Sequence, residues 1–490
     1  MRYLVSGKQA AEIDRHTIEE VGVPQLVLME RAALAVAEET AALITDLEHQ
    51  RILVVAESGN NGGDGVATAR ILHQRGYSAD VWALGGLSKQ SDAYKKQVEL
   101  AEKAGVPFVY IFPETGADQL QDYSVIVDAI FGVGLTRDVV GIQKDAVELI
   151  NRVRETSSEV TVVAVDIPSG LSSESGEILG AAVRADRTVT FGFEKIGMRF
   201  AKEYIGKVTI PEIGFYLPEG LAASGSLFFT YDRSDARRLL PARSIDGNKG
   251  SFGHVMVVAG SEDMSGAAFL AAEAAYRTGC GLVKVVTHEN NRVALQQLLP
   301  EAILKTYGNT SRPEGSEESI VTGKEMKWAD VIILGPGIGQ SETALRLTEL
   351  ILREATCPVI VDADAINLLS EHTEILKETA GSRPLVLTPH MLEMTRLSEK
   401  TLRPDREAVG RLKKDRIAIT HRLAEEYRAT IVLKDAGTLV MDGSASEAND
   451  PKEQEASTKT DRVSGGYINS SGNDAMAKGG SGDVLTGVIA

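Results

Sequence analysis

Short runs of wholly apolar, β-branched residues alternate with helical stretches twice along this chain, and few patterns restrict a fold more. The first series is Arg51–Ala56, Ala79–Leu84, Val125–Ala129, Val160–Val165 and Arg187–Phe191. The second is His254–Ala259, Leu282–Thr287, Val331–Leu334, Val359–Asp362, Leu385–Thr388 and Thr430–Lys434. A run that is apolar throughout must be covered on both faces, as strands of a parallel sheet between helix layers are. Apolar residues at three- and four-residue spacing over Gln9–Val21 and Val27–Leu43 predict two amphipathic helices ahead of the first series. The alternation weakens at Gly214–Arg243, where Pro218, Gly220, Gly225 and Pro241 interrupt it. A chain of 490 residues exceeds one ordinary core. The expectation is therefore an α/β protein of two domains, 1–225 and 226–490, each a mainly parallel sheet covered by helices. Asp442–Ser464 is polar and acidic, and is expected to be a solvated surface loop. The chain stops at Ala490, soon after a helix begins at Asp483, so a truncated second domain is expected.

Composition removes some classes of partner. A formal net charge of -17 opposes non-specific nucleic-acid binding, which needs a basic surface. It leaves room for a local anion site made of backbone amides. No apolar run reaches membrane-spanning length, and the N-terminus lacks the apolar stretch of a signal peptide, so no membrane association is expected. Cys280 and Cys357 lie far apart, with no CxxC or HExxH spacing near either, which reads as a reduced, cytoplasmic protein.

The first chemical constellation begins where the run Arg51–Ala56 meets Ser58-Gly59-Asn60-Asn61-Gly62-Gly63-Asp64-Gly65, ahead of a helical Val66–Gln74. Glycines at a strand-to-helix turn let amides approach a ligand, and a helix N-terminus favours an anion. Asp128 follows Val125–Val127 and precedes Gly132-Val133-Gly134-Leu135; Asp166 follows Val162–Val165 and precedes Ser169-Gly170. One strand-end carboxylate is commonly a helix cap. Three polar, glycine-flanked strand ends in one parallel sheet would instead converge on one crevice. Asn61, Asp128, Asp166 and Ser169 could converge there on one site.

The second constellation is denser: Gly472-Asn473, then Ala477-Lys478-Gly479-Gly480-Ser481-Gly482-Asp483-Val484. Clustered amides can hold developing charge while an aspartate takes the proton of a nearby hydroxyl, which is what phosphoryl transfer to an alcohol requires. Upstream strand ends fit the scheme: Gly335-Pro336-Gly337-Ile338-Gly339, Asp362-Ala363-Asp364, Thr388-Pro389-His390 with Glu393, and Lys434-Asp435-Ala436-Gly437-Thr438.

These residues carry two family resemblances. Asn60–Asp64, Val127–Ala129 with Gly132–Leu135, and Val165–Gly170 resemble the YjeF N-terminal domain, the NAD(P)HX epimerase, over about residues 1 to 220. The resemblance implies a Rossmann-like α/β/α sandwich and potassium held by Asn61, Asp128 and Ser169. It also implies substrate contacts at Asn60, Asn61, Gly62, Gly63 and Asp64, along Gly132, Val133, Gly134, Leu135, Thr136, Arg137 and Asp138, and at Asp166. Asp166 is the first choice for acid–base work and Asp128 the second. Asp138 stands where many relatives have proline. The second set, with Lys249–His254 and Ser265–Ala268, resembles the ribokinase-like YjeF C-terminal domain, the ADP- or ATP-dependent NAD(P)HX dehydratase. It implies substrate contacts at Ala267, Gly337, Gly339, His390 and Asp483, with Asp483 as catalytic base. Nucleotide contacts follow at Lys434, Asp435, Ala436, Gly437, Thr438 and Gly482, with magnesium arriving on ADP, which is favoured over ATP. The whole is similar to a bifunctional metabolite-repair enzyme acting on NADHX and NADPHX, expected as a homo-oligomer. A vitamin or sugar kinase would lack the first constellation, and an RNA-associated binding module would not need Asp128 and Asp166 beside the full glycine loop.

Overall fold

The computed structural model describes residues 1–84, 90–109, 111, 120–308, 321, 323–402, 412–443, 465–469 and 471–490. The chain divides into two compact units, Arg2–Phe229 and Thr230–Ala490, with Met1 grouped with the second.

The N-terminal unit opens with β1 (Arg2–Val5), α1 (Gly7–Arg15) and α2 (Gln25–Ala41). Then come β2 (Arg51–Ala56), α3 (Asn60–Gln74), β3 (Ser78–Ala83), α4 (Asp92–Lys103), β4 (Phe108–Val109), β5 (Val125–Ala129) and α5 (Ile142–Thr156). Strands β6 (Thr161–Val165), β7 (Arg187–Val189), β8 (Glu194–Lys195) and β9 (Lys207–Thr209) follow. Seven of these strands form one sheet in the order β4-β3-β2-β5-β6-β7-β9, parallel throughout. Alternate residues of β2 serve the two faces, as the two-residue period of a strand requires. Ile52, Val54 and Ala56 pack with Ala33, Val36 and Val66, and Leu53 and Val55 pack with Ala146 and Ile150. The apolar runs are thus buried on both sides.

Two expected boundaries are corrected. The first helix is α-helical only to Arg15 and continues as a π-turn over His16–Glu20, where Thr17 bonds back to the Ile13 carbonyl. Helix α3 starts at Asn60, not at Val66, so the glycine segment is its first turn. Poor helix propensity loses here to packing: a Cβ on Gly62 would fall 1.6 Å from the Glu57 carbonyl oxygen, and one on Gly65 would fall 2.3 Å from Ala129 Cβ.

In the second unit, β10 (His254–Val258), α6 (Ser265–Thr278), β11 (Leu282–His288), β12 (Ile303–Tyr307), β13 (Val331–Leu334) and α7 (Glu342–Glu354) come first. After them come β14 (Val359–Val361), α8 (Asp364–Glu371), β15 (Leu385–Leu387), α9 (Met391–Thr401), α10 (Leu412–Tyr427), β16 (Thr430–Leu433), β17 (Leu439–Asp442), β18 (Tyr467–Ile468) and α11 (Ser481–Ile489). The strand order is β12-β11-β10-β13-β14-β15-β16-β17-β18. Pairing is parallel up to β16 and antiparallel for the last two strands. Asp442 closes β17 rather than opening a loop, and 444–464 lie outside the described residues.

Both sheets have a point where the strand order reverses. Strand β2 is flanked by β3 and β5, and β10 by β11 and β13. Loops leaving the carboxyl ends of such strands run in opposite directions and leave a crevice between them.

Candidate active sites

The crevice of the N-terminal unit is a cavity of about 1140 Å³. Asn60, Asn61 and Asp64 line it from α3, Gly132–Asp138 from the loop after β5, and Asp166 from the end of β6. Gly62 and Gly63 do not. Both are buried, packed against Glu57 and Met29, so they shape the turn from behind.

Asp166 adopts φ +65°, a conformation non-glycine residues seldom accept, although aspartate tolerates it better than most. The turn aims its carboxyl at three donors. Oδ1 accepts from the Phe191 amide at 3.1 Å and Thr190 Oγ1 at 3.3 Å, and it is ion-paired with Lys195 Nζ. Lys195 is buried and also donates to Thr190 Oγ1 at 2.8 Å. Nothing in the sequence marked Lys195, because a charged residue on the two-residue strand β8 reads as exposed.

Asp128 and Ser169 are fully buried beside this cavity. The Asp128 carboxyl accepts from the Ser169 amide at 2.8 Å, Ser169 Oγ at 2.5 Å and the Ile130 amide at 3.3 Å. Burial still pushes its acid up to about 6, against the pull of those bonds. The buried Asn61 Nδ2 has no partner, and the Asn61 side chain lies 3.2–3.4 Å from where a Gly132 Cβ would stand. The three residues thus present a carboxylate, a hydroxyl and an amide in which one polar atom is unsatisfied and one carboxylate is held back from ionising. An alkali cation would relieve the buried carboxyl and suits the oxygens of Asn61, Asp128 and Ser169, so those oxygens fit potassium, whereas the Asn61 Nδ2–H needs an acceptor.

In the second unit the crevice beside β10 brings together most of the expected residues. Gly337, at φ +57°, holds its Cα so close that a Cβ would lie 2.8 Å from Ala267 Cβ, at the start of α6. The Gly339 amide donates to Asp364 Oδ2 at 3.0 Å. Lys434 Nζ pairs with the buried Asp362 Oδ1 at 2.6 Å, and Thr388 Oγ1 donates to the same oxygen at 2.7 Å. A Cβ on Gly482 would lie 3.3 Å from both Lys434 Nζ and Asp362 Oδ2, which brings the first turn of α11 onto this pair. Asp483, one residue on, has its acid raised by burial and then by Asp362, with Lys434 pulling the other way. His390 caps α9: its Nδ1 accepts from the Leu392 and Glu393 amides at 3.1 and 3.2 Å, and Glu393 accepts from the His390 amide at 2.8 Å. Of the nucleotide segment, Asp435 is paired with the buried Arg416 at 2.8 Å, and Thr438 Oγ1 bonds back to the Asp435 carbonyl at 2.9 Å. Gly437 is buried in that turn, and Ala436 is exposed. Asp362 was visible as a strand-end carboxylate but carried no expected role; here it anchors Lys434.

Among the described residues no group of three or more His, Cys, Asp or Glu is placed to hold a metal ion, and no helix is long and apolar enough to cross a membrane.

Two α/β domains, each with a polar, glycine-shaped crevice at the carboxyl edge of a parallel sheet, define a two-site enzyme for small molecules. The model of the YjeF-related protein N-terminus matches residues 25–197, and that of NAD(P)H-hydrate dehydratase matches 255–490. The chain belongs to the family of bifunctional NAD(P)H-hydrate repair enzymes. It is 32% identical to the member from Moorella thermoacetica, over 100% of this chain and 87% of that one. It is 43% identical to the NAD(P)H-hydrate epimerase of Oenococcus oeni, over 44% of this chain and 98% of that one. A solved ADP/ATP-dependent NAD(P)H-hydrate dehydratase from Bacillus subtilis, co-crystallized with ATP/Mg2+, is 30% identical over 53% of this chain and 78% of that one, with a TM-score of 0.39.

Proposed function

We propose that residues 1–225 interconvert (6R)- and (6S)-NAD(P)HX, and that residues 226–490 dehydrate the (6S) form to NAD(P)H with ADP, releasing AMP and phosphate. The observation that carries the reading is the pairing of each strand-end aspartate with a lysine inside a crevice: Asp166 with Lys195, and Asp362 with Lys434 beside Asp483.

A cavity of about 1140 Å³ exceeds the usual range for one drug-sized ligand and leaves room for a dinucleotide. Lys195 and the Phe191 amide hold Asp166 through Oδ1, which leaves Oδ2 to take a proton at the hydrated carbon. Asn61, Asp128 and Ser169 would hold potassium, which supplies positive charge at the floor of that cavity.

In the second site Asp483 takes the hydroxyl proton as the oxygen attacks the terminal phosphoryl group of ADP. Its raised proton affinity makes it a better base than an exposed aspartate. The α11 amides and Lys434 face the developing charge. Phosphate is a far better leaving group than hydroxide, and its loss with a ring proton restores the dihydronicotinamide. Magnesium would come with the nucleotide and neutralise phosphate charge, held by one or two carboxylates at most.

Hydrated NADH incubated with and without ADP tests both halves. Asp483→Asn should cost the ADP-dependent step about 10²–10⁴ in rate and spare epimerisation. Asp166→Ala should do the reverse. Either variant retaining the activity assigned to it would refute that half.

A further inference from the structure

Asp14 on α1 and Asp64 on α3 also line the N-terminal cavity, and neither carboxyl has a hydrogen-bond partner among the described residues. Lys195 is committed to Asp166, and all three contacts made by the Asp166 carboxyl fall on Oδ1, leaving Oδ2 for the cavity. Exchange between two epimers poses a particular demand on such a site. Whichever face loses its oxygen, the other must gain one, so one group must give a proton while another accepts one. The two must also trade roles in the reverse direction.

We propose that Asp14 is the second proton-transfer residue of this site, acting on the hydrated ring from α1 while Asp166 acts from the end of β6. The proposal rests on reading the cavity as the epimerase site. From one epimer, protonated Asp14 gives its proton to the C6 hydroxyl. The C6–O bond breaks with its electron pair on oxygen, which leaves as water, while the ring nitrogen lone pair forms N1=C6. A water adds to the opposite face of C6, the π pair returns to nitrogen, and the Asp166 carboxylate takes the proton released. The site ends with Asp14 ionised and Asp166 protonated, which is the arrangement that the other epimer needs for the return.

The surroundings of the two acids fit these roles. Asp166 accepts from a lysine and an amide through Oδ1, whereas Asp14 has burial, followed by the Asp166 charge, favouring its protonated form. Asp64 is pushed well above the ordinary carboxylate range by burial, then by Asp166 and Asp14. A group held protonated so firmly suits a fixed hydrogen-bond donor to the substrate better than one that must cycle.

The test uses the full-length chain, with epimer ratios followed from pure (6R) hydrate. Asp14→Asn should lower kcat for interconversion by about 10²-fold or more with KM little changed, and leave ADP-dependent dehydration of (6S) hydrate at the wild-type rate. Asn removes an unpartnered, partly buried acid, so folding should not suffer; Asp14→Ser, judged by the same criterion, serves if it does. Interconversion in ¹⁸O-water should place ¹⁸O at C6. A near-normal kcat, a defect confined to KM, or retention of the original oxygen would each overturn the proposal. Wild-type protein that fails to equilibrate the epimers would instead remove the epimerase reading itself. Loss in Asp166→Ala with normal Asp14→Asn would remove only the role of Asp14.

Discussion

The Asp166–Lys195 pair offers a quantitative test of how the first site is built. Lys195→Met keeps the length of the buried stem and deletes its charge. Removing one partner of a buried pair costs about 3–5 kcal/mol, because the other charge is left without compensation. Asp166 still keeps the Phe191 amide and the Thr190 hydroxyl and is 13% exposed toward the cavity, so the lower end, about 3 kcal/mol, is expected. Asp166→Asn strands the opposite charge. Lys195 is only 3% exposed and keeps neutral acceptors alone, the asparagine oxygen and Thr190 Oγ1, so this change should cost as much or more. Asparagine itself is well suited to the positive φ, which removes backbone strain as a competing explanation. The double variant has no stranded charge and should be more stable than either single one. Its coupling energy should be about 3 kcal/mol in that direction. The chain has two tryptophans, Trp82 buried in β3 and Trp328 in the second unit. A Trp328→Phe background therefore lets Trp82 fluorescence report denaturant unfolding of the first unit alone. Additive losses in the double variant would mean that the ion pair does not govern this site.

Three further outcomes follow from the structure. Asp362→Asn removes a negative charge that raises Asp483, so the acidic limb of the dehydration pH profile should move to lower pH, and the ADP KM should rise as Lys434 loses its anchor; an unmoved limb refutes the linkage. Asp128, pushed up to about 6 from an unfolded value of about 4, favours the fold most below pH 4 and loses that contribution, about 3 kcal/mol, as pH rises through 6. Asp128→Asn, or added potassium, should therefore flatten the fall in stability between pH 4 and 7, and identical slopes in all three conditions would count against the assignment. Burial lifts the Cys280 thiol to about 11, so alkylation at pH 8 should be on the order of 10²-fold slower in the native protein than in denaturant; equal rates would place that thiol in solvent.

What the sequence disclosed and what it hid divide along a physical line. Apolar runs disclosed the strands because burial on both faces leaves a compositional mark, and each run from Arg51 to Lys434 meets a strand within a few residues. Strand ends pointed to Asn61, Asp128, Asp166 and Gly337 as candidates, and the glycine run at the start of α11 to Asp483, because polar and glycine residues interrupt the apolar pattern abruptly. The start of α3 was hidden, since Asn60–Gly65 has the propensity of a loop and becomes helical only because β5 and Glu57 lie against it. Lys195 and Asp14 were hidden for the opposite reason. Each sits on an element whose local pattern reads as solvent-facing, and only long-range packing turns it toward a cavity.

The two sites solve one electrostatic problem in the same way. A chain with a formal net charge of -17 must receive substrates that carry phosphates, so its own field opposes them at a distance. Each domain answers locally. A parallel strand ends in an aspartate, at Asp166 and at Asp362, and a lysine from a later strand or strand end neutralises it. A backbone reversal accompanies each, at Asp166 itself with φ +65° and at Ala363 with φ +50°. The pair is nearly neutral, so the helix N-termini of α3 and α11 beside it can present amides to an anion without a fixed carboxylate charge in the way. Removing either lysine therefore does more than unpair an acid: it restores a negative charge inside a crevice that must admit an anionic substrate. In the first site the double variant, which deletes both charges, separates that effect from loss of the acid, because it should recover substrate binding without recovering proton transfer.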